Sequence, residues 1–140
     1  MENQRPGKFL KYAASVAFAV YLVCLALATH WPIAKLPRPL PPDYVLHFAS
    51  FALLGFLCTV VVAEWFNGLG VSRLGICCFV VAVLSVCALL DEATQPLAGR
   101  NFKWGDWVVD MAGIMSGCLL VTGISVLRQW LKSRRRFAAV

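Results

Sequence analysis

VLHFASFALLGFLCTVVVAE, residues 45–64, runs for twenty residues with a single acidic side chain, placed at its very end. At 1.5 Å per residue a helix of that length covers about 30 Å, the thickness of a bilayer's hydrocarbon core. The run lacks the period-two alternation of a transmembrane barrel strand, and a backbone facing lipid must satisfy its own hydrogen bonds, so it reads as a membrane helix. Three more runs of this kind flank it, Phe9–Thr29, Leu74–Leu90 and Trp107–Leu127. The whole chain is 60% hydrophobic and 14% charged, with a mean hydropathy of +0.73. A soluble domain carries about a quarter charged residues, so a water-facing surface is excluded by composition alone. The expected fold is all-α: a polytopic integral membrane protein, one domain over residues 1–140, with helices near 9–29, 45–64, 74–90 and 107–127 and a basic tail at 128–140.

The tryptophans test these boundaries independently. Trp31, Trp65, Trp104, Trp107 and Trp130 all fall at or just beyond a predicted helix end, where interfacial Trp belongs. Basic residues set the orientation. With both termini inside, the inner segments hold nine of the thirteen Lys and Arg, and the outer ones hold Lys35, Arg38, Arg100 and Lys103. The positive-inside rule thus expects a multi-pass cell-membrane protein with both termini in the cytoplasm. The tail segment KSRRR, next to a membrane helix, meets anionic lipid, and no nucleic-acid partner is expected. Lys8, Lys11 and the Ala26-Leu27-Ala28 triplet resemble a cleavable signal peptide, but the apolar run exceeds an h-region of about 7–15 residues, so a retained helix is expected. The six cysteines all lie inside apolar runs and none forms CxxC, so disulfides and a cysteine metal site are not expected. The proline-rich connection Pro32–Pro42 reads as a stiff spacer or lid.

In this topology three separated segments reach the same outer surface. Asp43-Tyr44-Val45-Leu46-His47 starts the second helix, Asp91-Glu92 and Gln95 close the third before Pro96, and Asp106 and Asp110 start the fourth, with Arg100 and Lys103 between. Asp43 and His47, Asp91 and Gln95, and Asp106 and Asp110 are each four apart and so share a helix face. Gly113 and Gly117 continue the Asp106–Asp110 stripe and let another helix approach closely, which turns the acidic face into the bundle. Five of the seven acidic residues gather there. Polar residues also belong at helix ends for simpler reasons. Asp43 and Asp106 can serve as caps or as charges at a positive helix terminus, and Lys103 reads as a solvated loop charge. Asp91, Glu92, Arg100 and Asp110 together are less easily explained that way, because ionisable groups at membrane depth are expensive.

These motifs also carry a resemblance. DYVLHF at 43–48, LLDEATQ at 89–95, GR at 99–100 and DWVVDMAGIMSG at 106–117 resemble the VanZ-like family, small bacterial membrane proteins named for a teicoplanin-resistance protein. The family pattern is Asp-Lys-x-x-His-Phe, Asp-Glu-x-x-Gln, Gly-Arg and Asp-x-x-x-Asn-x-x-Gly, and the likeness covers about residues 40–120. It implies that Asp43, His47, Asp91, Glu92, Gln95, Arg100 and Asp106 form the characteristic polar set, with Gly113 a packing residue. Tyr44 replaces the family's Lys and Asp110 its Asn, so the site here is more negative. The family has no defined reaction, and the resemblance implies a context, including antibiotic resistance, rather than a mechanism.

Three functions follow as expectations. The first is a polar pocket at the outer leaflet that engages an envelope lipid headgroup, a lipid-linked precursor or a glycopeptide-type ligand. There Arg100 is the anion anchor and Gln95, His47, Asp43, Asp106 and Asp110 are further contacts. The second is a membrane-embedded hydrolase or transferase in which His47 works beside Asp91 or Glu92. No metal or cofactor is assigned, although His47 with Asp91, Glu92 or Asp110 offers mixed nitrogen and oxygen ligands. The third is a structural or assembly subunit of a larger membrane complex, its buried ion pairs fixing helix packing.

Overall fold

A computed structural model describes residues 6–31 and 41–137, with side chains over 9–31 and 41–135. The spacer or lid expected of the proline-rich connection falls mostly on residues 32–40, outside the described residues. Among the described residues four α-helices make up the fold: α1 (Pro6–Thr29), α2 (Asp43–Trp65), α3 (Arg73–Thr94) and α4 (Trp104–Phe137). Each is long and apolar enough to cross a membrane. The protein is an all-α, four-helix transmembrane bundle.

Local chemistry explains the boundaries. Ser72 caps α3, its Oγ accepting from Gly75 N at 3.0 Å. Pro96 cannot continue an α-helix, and α3 gives way to a 3₁₀ turn over Gln95–Ala98. Gly99, at φ 76°, closes that turn in the left-handed region and donates to Gln95 O and Pro96 O. The chain is thereby folded back over the end of the bundle, carrying Arg100 with it. Trp104 starts α4 earlier than the hydropathy pattern indicates. The expected basic tail is also no separate segment. SVLRQWLKSRRRF contains no Gly or Pro, and α4 continues through it to Phe137. Its 34 residues reach about 51 Å at 1.5 Å per residue, roughly 20 Å more than the hydrocarbon core requires. That excess carries Arg128, Lys132, Arg134 and Arg135, with the Arg134 guanidinium 4.1 Å over the Trp130 ring.

Apolar burial cannot drive helices together when lipid is equally apolar, so close backbone contact must. The tightest pair is α2 with α4. A Cβ on Gly113 would overlap Phe48 O, one on Gly117 would overlap Ala52 O, and one on Gly55 would sit 2.6 Å from Ile114 O. Three glycines therefore let two helix backbones touch. Phe51, Leu54 and Cys58 of α2 meet Ile114 and Cys118 of α4 and Ile76, Val80, Leu84 and Ala88 of α3 in one core. Thr59 Oγ1 donates to Gly55 O at 2.7 Å and also reaches Cys118 Sγ at 3.2 Å. All six cysteines are free.

Helix α1 lies at the periphery with most of its surface open. It is held to α2 by Tyr21 Oη donating to Ser50 O at 3.0 Å and by Trp65 Nε1 donating to Ser15 Oγ at 3.1 Å, with Lys11 Nζ 3.5 Å over the Trp65 ring. Leu27, Phe48, Phe79, Val86 and Leu119 point outward and exposed, as an acyl-facing surface should. The glycine seam gives a direct test. Gly117→Val should destabilise the protein by about 1–3 kcal/mol or more through overpacking. Gly123→Val, where an added Cβ meets nothing within 4 Å, should be neutral. Thermal unfolding in detergent compares the two, and equal behaviour would remove the seam's special role.

Candidate functional site

Alternating helix direction brings the end of α1, the start of α2, the end of α3 and the start of α4 to one end of the bundle. All seven polar residues that the motifs single out lie there, and so does Asp110. The deepest contact joins α2 to α4. His47 Nδ1 is 2.9 Å from Asp110 Oδ1, and both side chains are buried. The His47 ring stacks parallel on Phe51 with centroids 6.5 Å apart, which fixes its plane. In the neutral tautomer whose Nδ1 proton is directed at Asp110, Nε2 presents its lone pair on the opposite edge of the ring. That edge faces Asp106 Oδ2 at 3.8 Å and Asp43 Oδ1 at 3.9 Å, too far for hydrogen bonds.

The partners expected for His47 are therefore corrected. Asp91 and Glu92 sit on α3 and do not contact it; Asp110, Asp43 and Asp106 do. The reason is the glycine seam, which brings α4 rather than α3 against the face of α2 that carries His47. Asp91 instead accepts from Thr29 Oγ1 at 2.7 Å and from Gln95 Nε2 at 3.3 Å, and lies 3.7 Å from His30 Nδ1. Glu92 is fully buried. Its Oε1 accepts from the Lys103 backbone N–H, while its Oε2 has no hydrogen-bond partner among the described residues.

The two basic residues of the connection divide their roles. Arg100 Nη1 donates to Thr29 O at 3.1 Å and Nη2 lies 3.5 Å from Asp43 Oδ1, and its side chain is only 10% exposed. Arg100 thus ties the connection to α1 and α2. Lys103 is 54% exposed; its Nζ lies 3.0 Å from Asp43 Oδ2 and 3.4 Å from Asp106 Oδ2. The hydrogen bond to Asp43 holds its ammonium above the usual lysine range, so it is a cation at any ordinary pH. Asp43 and Lys103, read from sequence as a helix-start charge and a solvated loop charge, are the exposed rim of the cluster. Neither Asp43 nor Asp106 is an N-cap: Pro42 occupies the N-cap position of α2 without a side-chain cap bond, and both carboxylates sit in the first turns of their helices.

Thr29 and His30 are the residues that sequence reading missed. His30 Nδ1 is 2.9 Å from Ala26 O and its Nε2 is 2.9 Å from Thr94 Oγ1. The available signal was a polar pair directly after an apolar run at the end where the other motifs gather. An aromatic ladder borders the site: Phe102, Trp104 and Trp107 pack edge to face at 4.9 and 6.2 Å, and Trp107 Nε1 donates to Ser85 O at 3.2 Å.

The arrangement can orient a neutral imidazole, hold a cation between carboxylates, and offer one exposed ammonium at the rim. Asp110→Ala leaves the buried His47 Nδ1–H without its acceptor and should cost about 1–3 kcal/mol. Asp110→Asn, which keeps an acceptor oxygen, should cost clearly less. Unfolding midpoints in detergent measure both, and equal losses would mean that the bond to His47 is not what Asp110 supplies. Comparison of the chain with family models, with curated proteins and with solved structures finds no match, so the likeness to the VanZ-like family rests on the four motifs.

Proposed function

We propose that this chain is a VanZ-like cell-envelope membrane protein whose polar end lies at the outer leaflet and engages the headgroup of an envelope lipid. Both termini are then cytoplasmic. One observation carries the reading: the polar residues of the motif at 43–48 meet those of the three motifs at 89–117 at one end of the bundle, where they join residues of all four helices in adjoining polar networks. Helix packing alone asks for fewer ionisable groups than this, since each is costly to remove from water. Lys103, half exposed beside the partly buried Arg100, is the cation that an approaching phosphate or carboxylate meets first. The aromatic ladder of Phe102, Trp104 and Trp107 suits the interfacial depth of a headgroup.

An acid–base enzyme is the second reading, favoured by the buried His47–Asp110 pair, in which the carboxylate would orient the ring. A structural subunit of a larger complex differs from both in its response to surface substitutions.

The first test is a melting curve of the full chain in detergent with added phosphatidylglycerol, phosphatidylcholine, a polyprenyl phosphate or teicoplanin. The anionic lipids should raise the melting temperature and phosphatidylcholine should not. Lys103→Gln should lose at least half of that rise while melting close to wild type without lipid. No rise with any addition, or a rise indifferent to Lys103→Gln, would overturn headgroup binding; a rise with teicoplanin alone would move the ligand to the glycopeptide class. Orientation is tested separately: a C-terminal GFP fusion should fluoresce, and alkaline phosphatase fused after Lys103 should be active.

A further inference from the structure

We infer that Asp43, His47 and Asp106 form a site for one divalent transition-metal cation, zinc above all, at the rim of the polar end. The argument starts from His47. Its side chain is only 5% exposed, yet Nε2 has no hydrogen-bond partner among the described residues and is aimed at the gap between two carboxylates. Nε2 is left open here because Asp110 engages the other nitrogen at 2.9 Å and the Phe51 ring holds the plane. A carboxylate that fixes the far nitrogen of a histidine, so that the near one presents its lone pair, is the recurring outer support of metal-binding histidines.

The distances suit a cation. One ligand atom from each of Asp43, His47 and Asp106 lies within 4.8 Å of the other two. A cation placed among three atoms so spaced is no more than about 2.8 Å from each, and inward shifts of about half an ångström reach the 2.0–2.2 Å bonds of zinc. One imidazole with two carboxylates suits zinc or manganese better than magnesium or calcium, which favour all-oxygen sets. Asp43 is partly exposed, which provides an entry path. Three protein ligands leave room for water or a phosphate oxygen in the remaining position.

Lys103 occupies the same mouth, with its ammonium on Asp43 Oδ2 and Asp106 Oδ2. Together with Arg100, whose Nη2 is 3.5 Å from Asp43 Oδ1, it balances the two carboxylates without the metal, and it must swing outward, as its exposure allows, when the metal enters. A bound cation would also offset the excess of carboxylates that otherwise repels an anionic headgroup. The site itself does not depend on headgroup binding, and a titration in lipid-free detergent reads it separately.

The test is competition for Zn²⁺ against a chromophoric chelator, with Co²⁺ absorption as a direct spectroscopic readout, on the full chain in detergent. Wild type should bind one Zn²⁺ per chain. Asp43→Asn and His47→Gln should weaken binding at least tenfold, and Asp110→Asn, acting through His47, by about 10–100-fold. Lys103→Gln should tighten binding about fivefold, because a positive charge a few ångströms away is removed. That sign separates a metal site from a salt-bridge network, in which losing Lys103 only destabilises. If His47→Gln fails to fold, the partly exposed Asp43→Asn decides. Failure of wild type and Lys103→Gln alike to bind one Zn²⁺, or binding unchanged in Asp43→Asn and so owed to the cysteines, would overturn the site.

Discussion

The approach of α2 to α4 across Gly55, Gly113 and Gly117 is the constraint on which the rest of the molecule depends. In lipid, two helices gain little by covering each other's leucines, and what they gain comes from backbone atoms in van der Waals contact. Once these glycines permit that contact, the depth and rotation of α4 against α2 are set. Asp110 lies three residues before Gly113, and His47 one residue before Phe48, whose carbonyl fills the Gly113 gap. The ion-pairing geometry at the polar end is thus an outcome of packing lower in the bundle. Conversely, the buried His47–Asp110 contact penalises any other register of the two helices, because slippage would leave both groups unpaired away from water.

Around that seam the other two helices play unequal parts. Helix α3 closes the core with a face of Ile76, Val80, Leu84 and Ala88, and then spends its last turn on polar contacts with α1 and with the connection. Helix α1 adds little to the core, but its end supplies Thr29 as donor to Asp91 and as carbonyl acceptor for Arg100. A peripheral helix therefore completes the polar end. The short 3₁₀ turn and the left-handed Gly99 make this geometry reachable, because they return the chain across the bundle within a few residues. The Lys103 backbone can then satisfy Glu92, while its side chain remains at the surface.

The electrostatic character of the end follows from the residue types at two of its positions. Tyr44 contributes no positive charge, and Asp110 adds a carboxylate beside the histidine. The result is a cluster in which three carboxylates surround one imidazole, with Arg100 and Lys103 as the nearby permanent cations. Such a cluster attracts cations to its rim more readily than anions, and an anionic ligand is easiest to accommodate through Lys103 or through a bound metal.

Much of this was legible in the residues themselves. The four spans, the free cysteines, Trp31, Trp65 and Trp104 at helix ends and the close approach at Gly113 and Gly117 follow from run length, composition and helical spacing, which are local properties, whereas Trp130 lies within the extended α4. Spacing also placed Asp106 and Asp110, and Asp43 and His47, on common faces. Sequence could not assign the partner of His47, because Asp91, Glu92 and Asp110 are equally plausible neighbours until the glycine seam chooses α4 over α3. Nor could it divide Arg100 from Lys103, since only the return of the chain past Gly99 covers most of one side chain and leaves the other exposed. Thr29 and His30 joined the site for the same reason. Periodicity along one helix determines which residues share a face, and the contact between helices determines what that face meets.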